Sequence, residues 1–249
     1  MTIAILSALP EEQEGLAVQL QELRVVRHAG RDFHLGRWHG REVVFALSRI
    51  GKVAAATTAA ALIERFGARR IVFTGVAGGL HPQVRVGDTV IGSEFLQHDM
   101  DASPLFPRHE VPLYGCSRFR ADEELSAQLL MAARSLPVEG LVDEATRLRF
   151  GLGTPRIHQG LLLSGDRFVS RADEALALRT ALPDALAVEM EAAAVAQVCH
   201  DYGIPFAAAR NISDRADDQA HVDFTAYLIQ VAGVQARALI GALLPLLSP

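Results

Sequence analysis

The chain has 249 residues, of which 50% are hydrophobic, and its formal net charge is −5. This length and composition predict one large α/β domain over residues 1–249, and the negative charge provides no basic surface for nucleic acid or an anionic membrane. The two cysteines, Cys116 and Cys199, form neither a disulfide framework nor a metal-ligand spacing. The N-terminus lacks the features of a signal peptide, and the apolar segment 238–247 is too short to span a bilayer. We therefore expect a soluble cytoplasmic protein.

The chain alternates predicted strands with predicted helices. β-Branched and apolar runs predict strands, and Ala-rich or amphipathic runs bounded by Pro and Gly predict helices. The predicted strands are at residues 2–8, 24–29, 31–39, 43–48, 70–74, 86–91, 158–164 and 204–209. The predicted helices are at residues 10–23, 54–66, 122–135, 172–180 and 223–244, together with a small-residue helix headed by Glu189 and Glu191. This alternation favours a central sheet covered by helices.

Three further segments fall outside this alternation. The glycine cluster 75–79 is interpreted as a tight turn or a phosphate cradle, although it matches neither the phosphate-binding loop nor the dinucleotide fingerprint. Residues 102–118 are rich in Pro and aromatic residues and predict an ordered loop that covers a pocket or packs on a partner subunit. The charged, Gly-containing stretch 137–156 predicts an exposed insertion.

No metal or cofactor is expected. His98, Asp99 and Asp101 resemble a metal-binding triplet at first sight. A divalent metal site needs several convergent ligands, and no second cluster of such residues supports this one. We interpret the three as polar residues at a strand end or an interface.

Carboxylates stand at the predicted ends of several elements. Glu189 and Glu191 bracket a methionine at the head of a helix, where the helix dipole also favours acidic groups. The strand at 204–209 leads into Arg210, Ser213 and Asp214. In α/β folds, polar groups at the carboxyl ends of strands are where ligands bind.

Glu12, Glu191 and Asp214 together predict a shared cleft, although each could be only a helix-start acid or a cap. Separated carboxylates suit a reaction that protonates a leaving group and activates water, as in glycoside hydrolysis. No Gly-x-Ser-x-Gly elbow is present, and Cys199 lies in an apolar helix. Nucleophilic Ser or Cys chemistry is therefore poorly supported.

Six segments carry a family resemblance over nearly the whole chain. They are Ala8-Leu9-Pro10-Glu11-Glu12, Gly51-Lys52-Val53-Ala54, Thr74-Gly75-Val76-Ala77-Gly78-Gly79, Ser164-Gly165-Asp166-Arg167-Phe168-Val169, Val188-Glu189-Met190-Glu191-Ala192 and Arg210-Asn211-Ile212-Ser213-Asp214. In these segments the chain resembles the 5′-methylthioadenosine/S-adenosylhomocysteine nucleosidases, within the wider nucleoside phosphorylase family. The resemblance implies a three-layer α/β/α fold with a central mixed, twisted β-sheet, and hydrolysis of a small-molecule nucleoside.

The resemblance also implies the catalytic roles. Asp214, positioned by Ser213, would protonate adenine N7 as the glycosidic bond breaks. Glu12 would be the general base on the attacking water, with Arg210 ordering that region. Glu191 would bind the ribose hydroxyls and stabilise the cationic sugar.

The same resemblance implies the substrate-binding residues. Met190 would pack beneath the ribose, and Phe168 would stack on the adenine. The backbone of Val169 would read the Watson–Crick edge of the base, and Phe224 would close over base and sugar. The remaining implied binding residues are Ala8, Leu9, Ile50, Val76, Ala77, Gly78 and Glu189.

Two features bear on the reaction and the substrate. The phosphorylases bind phosphate through a Gly- and Arg-containing segment after the first strand, where this chain has Pro10-Glu11-Glu12. That negative charge favours hydrolysis over phosphorolysis, with a phosphate-dependent purine nucleoside phosphorylase as the alternative. Val76 stands where well-known bacterial members carry a serine, and the 102–113 segment matches only loosely. Futalosine or aminofutalosine hydrolysis therefore also stays open.

The resemblance further implies a homodimer. In the family, the loop corresponding to residues 102–114 reaches into the neighbour's active site. We therefore expect this loop to lie near the active site of the partner.

Overall fold

The computed structural model describes residues 1–137, 140–216 and 224–247. The described strands belong to one ten-stranded mixed sheet. They are β1 (Ile3–Ser7), β2 (Gln21–His28), β3 (Arg31–Trp38), β4 (Arg41–Leu47), β5 (Arg70–Gly79), β6 (Thr89–Gln97), β7 (Arg118–Arg120), β8 (Ile157–Ser164), β9 (Ala185–Glu189) and β10 (Phe206–Asp214).

Seven α-helical segments and several short helical turns are described. The α-helices are α1 (Lys52–Glu64), α2 (Glu123–Ser135), α3 (Glu144–Arg149), α4 (Ala172–Ala181), α5 (Ala192–Tyr202), α6 (Phe224–Tyr227) and α7 (Gly233–Leu243). A π-helical stretch, Leu228–Ala232, joins α6 to α7, and a 3₁₀ turn, Leu244–Leu246, follows, so that Phe224–Leu246 is one continuous helix, here called the terminal helix.

Half of the sheet closes on itself. From β5 it passes through β10, β6, β8 and β9, and β9 returns to β5. This last pairing involves only Gly78 with Val188 and Gly79 with Ala187, close to the carboxyl ends of both strands. Asp214 at the end of β10 also pairs with Gly78. The closure therefore brings the carboxyl ends of β5, β9 and β10 together.

Helices cover both faces of the sheet. Side chains alternate along β1, so that Ala4 and Leu6 pack with α1 and α5, whereas Ile3 and Ile5 pack with α2 and the terminal helix. The predicted three-layer α/β/α architecture is confirmed. The closure of half of the sheet was not predicted.

The predicted helix at 10–23 is wrong. The structure has two separate 3₁₀ turns there, Pro10–Gln13 and Ala17–Gln19, and β2 already begins at Gln21. Gly15 between the turns has φ +75°, a conformation that ends a right-handed helix and that glycine adopts without strain. Pro and acidic residues correctly indicated that a helical turn begins at Pro10. The residues from Gln21 onward, however, pair with β3 in a hairpin.

The glycine cluster is also not a turn or a phosphate cradle. β5 continues through it to Gly79 and pairs with β10 and then with β9. The glycines are needed because other groups approach the strand closely. A β-carbon at Gly75 would lie 2.8 Å from Glu12 Oε1, and one at Gly78 would lie 2.9 Å from Asp214 Oδ1.

Glu189 and Glu191 do not form a helix head together. Glu189 is the last residue of β9, whereas Glu191 is the N-cap of α5. Their carboxylates have different partners: Glu189 accepts from Arg210 and from the amides of Glu191 and Ala192, whereas Glu191 accepts from the Gly51 amide. This difference matters for the chemistry of the site.

The predicted insertion and the terminal helix are described in part. Residues 138 and 139 of the predicted insertion, and Asp223 at the predicted start of the terminal helix, lie outside the described residues. The described part of 140–156 is mostly exposed, but it contains α3 and packs Phe150 against Tyr227. The terminal helix is long and apolar enough to cross a membrane, yet its apolar side belongs to the core of the sheet.

Candidate functional site

A cavity of about 630 Å³ opens where the carboxyl ends of β5, β9 and β10 meet. This volume counts the open space at the mouth of the cavity as well as the space between its walls. Its lining residues come from the segments after β1, β4 and β8, from β5, from the β9–α5 junction, from the end of β10 and from the start of the terminal helix. They are Ala8, Leu9, Glu12, Ile50, Val76, Ala77, Gly78, Arg167, Phe168, Val169, Val188, Glu189, Met190, Glu191, Ser213, Asp214 and Phe224.

Glu12 is a buried carboxylate held by backbone amides. Its Oε2 accepts hydrogen bonds from the amides of Ala8 at 2.8 Å and Leu9 at 2.9 Å, and its Oε1 accepts one from Val76 at 3.1 Å. Burial raises the pKa of Glu12 above its ordinary value, although these amides and the charge of Arg210 act in the opposite direction. A fixed carboxylate with a raised pKa is suited to take a proton from water.

Glu189 and Arg210 form a buried ion pair beside the cavity. Arg210 is 1% exposed, and its Nη2 lies 2.7 Å from Glu189 Oε2. The guanidinium stacks 4.1 Å above the ring of Phe73 and donates to the carbonyl of Phe73. Glu189 also accepts bonds from the Ser164 hydroxyl and from the amides of Glu191 and Ala192. With its acceptor positions occupied in this way, Glu189 holds the β9–α5 junction in place.

Glu191 is a buried carboxyl group at the N-cap of α5. It is 6% exposed, and Oε1 accepts a hydrogen bond from the Gly51 amide at 2.9 Å. Burial, together with the nearby negative charge of Glu189, raises the pKa of Glu191 to about 8. The carboxyl group therefore keeps its proton to a higher pH than an ordinary glutamate does.

Asp214 lies at the end of β10 next to Ser213. The Ser213 hydroxyl donates to Asp214 Oδ2 at 2.7 Å, and the amide of Ala216 donates to Oδ1 at 2.7 Å. The absence of a side chain at Gly78 makes room for this carboxylate. The result is an oriented carboxyl group at the wall of the cavity that Phe168 also lines.

Two aromatic side chains form the apolar part of the opening. Phe168 is 46% exposed, and its ring lies 5.8 Å from that of Phe224 in an edge-to-face arrangement. Val169 beside them is buried. Flat apolar surfaces of this kind suit a planar aromatic ligand.

The structure brings nearly all the sequence-predicted site residues into one cavity. Arg210 differs, because it is not among the lining residues and acts on the cavity only through Glu189 and, by its charge, on Glu12. Sequence reasoning missed Arg167 and Val188 as lining residues, although both lie inside the segments that were singled out. It also missed Gly51 and Ser164 as partners of Glu191 and Glu189, and both of these stand in segments that carried the family resemblance.

Among the described residues, no group of three or more His, Cys, Asp or Glu side chains is arranged to hold a metal ion. At the predicted polar triplet, Asp99 instead binds Lys52 through an ion pair of 2.6 Å. Both cysteines are free.

Comparisons with known proteins match nearly the whole chain. The profile of the phosphorylase superfamily matches residues 2–245. A 5′-methylthioadenosine/S-adenosylhomocysteine nucleosidase of Chromohalobacter salexigens is 38% identical over 92% of this chain and 91% of its own length.

Two solved structures are similar over nearly the whole chain. The nucleosidase of the same name from Neisseria meningitidis, in complex with methylthio-immucillin-A, has a TM-score of 0.87 and 34% identity, covering 99% of each chain. The futalosine hydrolase of Helicobacter pylori has a TM-score of 0.83 and 30% identity, covering 97% of each chain.

Proposed function

The chain belongs to the 5′-methylthioadenosine/S-adenosylhomocysteine nucleosidase family of the phosphorylase superfamily, and from this premise we propose the reaction and the roles of its residues. The protein hydrolyses the N-glycosidic bond of 5′-methylthioadenosine and S-adenosylhomocysteine and releases adenine and the 5-thioribose product. The protein is an N-glycosyl hydrolase that requires neither metal nor cofactor. The observation that carries this proposal is the gathering of Glu12, Glu191 and Asp214 around one cavity.

In the proposed mechanism, the glycosidic bond to adenine breaks as Asp214 donates a proton to adenine N7. Ser213 orients that carboxyl group through the hydrogen bond at 2.7 Å. The electron pair of the broken bond leaves with the base, and the sugar gains oxocarbenium character. Water attacks the anomeric carbon while Glu12 accepts its proton. Glu191 binds the ribose hydroxyls, and its ionised form, which a nearby positive charge favours, stabilises the positive charge on the sugar.

Arg210 positions this machinery without touching the substrate. It fixes Glu189, and Glu189 in turn holds the amides of Glu191 and Ala192. The remaining lining residues bind the nucleoside. Phe168 stacks on the adenine, the backbone of Val169 reads its edge, Met190 packs under the ribose, and Phe224 closes the opening.

Water, and not phosphate, is the proposed second substrate. The amides of Ala8, Leu9 and Val76 all donate to Glu12. Each amide has one proton to donate, so these groups are already used and cannot also bind an anion. The carboxylate of Glu12 would also repel phosphate at this position.

Adenine release tests the function. We expect phosphate-independent release from 5′-methylthioadenosine and S-adenosylhomocysteine, with aminofutalosine as the third substrate tested. The similarity to a futalosine hydrolase supports that comparison. Release from aminofutalosine alone would keep the mechanism and change the substrate, and strict phosphate dependence would refute the role of Glu12.

Changing Asp214 to Asn tests the proposed acid. Asparagine keeps the shape of the side chain and cannot donate a carboxylic proton, so turnover should fall by about 10²–10⁴. Unfolding temperature and nucleoside affinity, measured by calorimetry, should stay close to those of the parent. An active Asp214→Asn variant would remove this residue as the essential acid.

We also propose that the protein is a homodimer in which the loop 102–114 lies near the partner's cavity. Leu105 is 84% exposed and Leu113 is 91% exposed, and neither lines the cavity of its own chain. Ile50 at the cavity and Val53 on α1 are exposed as well. Light scattering should give the mass of two chains, and a fully active monomer would contradict this proposal.

We also propose the domain organisation and the cellular location of the protein. A single domain over residues 1–249 is supported by the one sheet to which the described strands belong. A cytoplasmic location is supported by the free cysteines Cys116 and Cys199, which suit a reducing compartment. Cell fractionation would test the location.

A further inference from the structure

Three residues outside the cavity form a closed ring of hydrogen bonds. The Lys52 ammonium donates to Asp99 Oδ1 at 2.6 Å, and the backbone amide of Asp166 donates to Asp99 Oδ2 at 2.9 Å. The ring closes where the backbone amide of Lys52 donates to Asp166 Oδ1 at 2.8 Å. One oxygen of Asp99 thus accepts from a side chain and the other from a backbone amide. A carboxylate has two acceptor oxygens and a negative charge, so it binds two such donors more strongly than a neutral side chain does.

The ring connects two walls of the cavity. Lys52 is the first residue of α1, and the amide of the residue before it, Gly51, donates to Glu191 at 2.9 Å. Asp166 directly precedes Arg167, Phe168 and Val169, all of which line the cavity. The Glu191 side and the Phe168 side are therefore joined through adjacent residues.

The surroundings of this ring of hydrogen bonds restrict the movement of its side chains. The side chain of Lys52 is 15% exposed and that of Asp99 is 31% exposed, and Lys52 also donates to Gln97 Oε1 at 3.1 Å. A β-carbon at Gly165 would collide with the ring of His98, so the segment that follows β8 lies directly on the segment that follows β6. Although burial acts to raise it, the pKa of Asp99 lies below its ordinary value because Lys52 and the Asp166 amide donate to the carboxylate.

We propose that the ring of Lys52, Asp99 and Asp166 is a positioning device that sets the distance between the base-binding segment 167–169 and the ribose-binding Glu191. The inference rests on the proposed function, because it takes these two walls to hold adenine and ribose. Asp99 and Lys52 are positioning residues, since neither lines the cavity. Their effect should appear in the binding of the base and the sugar, irrespective of the group at the 5′ position.

The first test is the change Asp99→Asn. Asparagine keeps one acceptor oxygen, but its NH2 group then faces either the Lys52 ammonium or the Asp166 amide, both of which are donors. We expect KM and the inhibition constant of adenine to rise about tenfold, a loss of about 1.4 kcal/mol of binding free energy, because the two walls lose their fixed spacing. The factor should be equal for 5′-methylthioadenosine and S-adenosylhomocysteine, and kcat should change less than KM.

Asp184→Asn is the matched control. Asp184 forms an ion pair with Arg118 at 2.7 Å on a partly exposed surface at the start of β9, away from the cavity. Loss of this pair should leave KM and the inhibition constant of adenine unchanged. A purely structural role of Asp99 would lower only the unfolding temperature, since an inhibition constant does not depend on how much of the protein is folded.

A double-mutant cycle with Lys52→Met provides the second test. Residues that act through one ring are not additive, so the double variant should lose no more affinity than the weaker-binding single variant. Additive losses, or unchanged constants in folded Asp99→Asn, would overturn the proposal. If the parent releases no adenine, the proposed function fails, and calorimetric binding of adenine to the parent and to Asp99→Asn still decides whether the ring positions the cavity.

Discussion

At the scale of single residues, Glu12 has the most demanding environment of the proposed catalytic groups. Its carboxylate is 2% exposed and is held by the amides of Ala8, Leu9 and Val76. Gly75 has to be a glycine to leave room for it. The position of the Glu12 carboxylate therefore depends both on the segment after β1 and on β5.

Changing Glu12 to Gln should abolish most of the activity. Glutamine fills the same space but cannot accept a proton from water, so kcat should fall by about 10²–10⁴. Added phosphate should not restore it. Steady-state adenine release measures the effect, with Glu11→Gln as the control next to it in the chain, and a Glu12→Gln variant that keeps parental kcat would exclude Glu12 as the base.

The raised pKa of Glu191 makes stability depend on pH. An unfolded glutamate titrates near 4.5, whereas Glu191 in the folded protein titrates at about 8. Between pH 4.5 and about 8, Glu191 is ionised in the unfolded chain but still protonated in the folded protein, so unfolding releases a proton. The contribution of Glu191 to the free energy of unfolding is therefore fully present below pH 4.5 and is lost as the pH rises toward about 8.

Changing Glu191 to Gln should remove this dependence while keeping an acceptor for the Gly51 amide. The gain in free energy of unfolding over the parent should grow from pH 5 to pH 8 by up to a few kcal/mol, at about 1.4 kcal/mol per pKa unit. Thermal melting of both proteins at the two pH values measures it. A difference that is the same at both pH values would contradict the raised pKa.

At the scale of elements, the ion pair of Glu189 and Arg210 joins the ends of two strands. Glu189 ends β9, and Arg210 lies within β10, so the pair spans the closed half of the sheet. Buried ion pairs contribute little net stability, but removal of one partner leaves a buried charge uncompensated. The pair therefore serves to hold the β9–α5 junction in one arrangement.

Changing Arg210 to Leu should lower the free energy of unfolding by about 3–5 kcal/mol, because it leaves the carboxylate of Glu189 buried without its cation. Changing Arg171 to Leu on the surface is the matched control, since Arg171 and Asp173 form an exposed pair at 2.8 Å. That control should cost at most about 1 kcal/mol. Denaturant unfolding measures both, and equal effects would show that burial of the pair is not decisive.

At the scale of the whole molecule, the terminal helix belongs to the core. Ile240 and Leu243 are 0% exposed and pack on the sheet face formed by Ile3, Ile5 and their neighbours. The helix has the length and apolarity of a membrane span, but more than half of its most apolar window is buried within the protein. Its hydrophobicity is thus accounted for by packing.

Truncation of Ile240 to Ala should lower the free energy of unfolding by about 2–5 kcal/mol, as expected for a fully buried side chain. Ile229 on the same helix is 48% exposed, and Ile229→Ala should cost much less. Thermal unfolding of the two variants measures the difference. Equal losses would contradict the assigned orientation of the helix.

Much of the fold could be predicted from local sequence. The hairpin of β2 and β3, the Ala-rich α1 and the N-cap of α2 at Asp122 depend on periodicity and on short-range capping, which neighbouring residues determine. The helix predicted at 10–23 was wrong because Gly15 interrupts it and because residues from Gln21 onward pair with β3 in the hairpin, which outweighed a good helix start. Local propensity is weak against such pairing.

The candidate site, too, could be predicted from the sequence only in part. The sequence by itself determined which side chains are available, since Glu12, Glu191 and Asp214 stand in recognisable motifs at the ends of elements. Only the tertiary structure decided that Arg210 lies behind the cavity, that Gly51 holds Glu191, and that burial raises the pKa of that carboxyl group to about 8. Partners and burial depend on segments far apart in the chain, and these meet only when half of the sheet closes on itself.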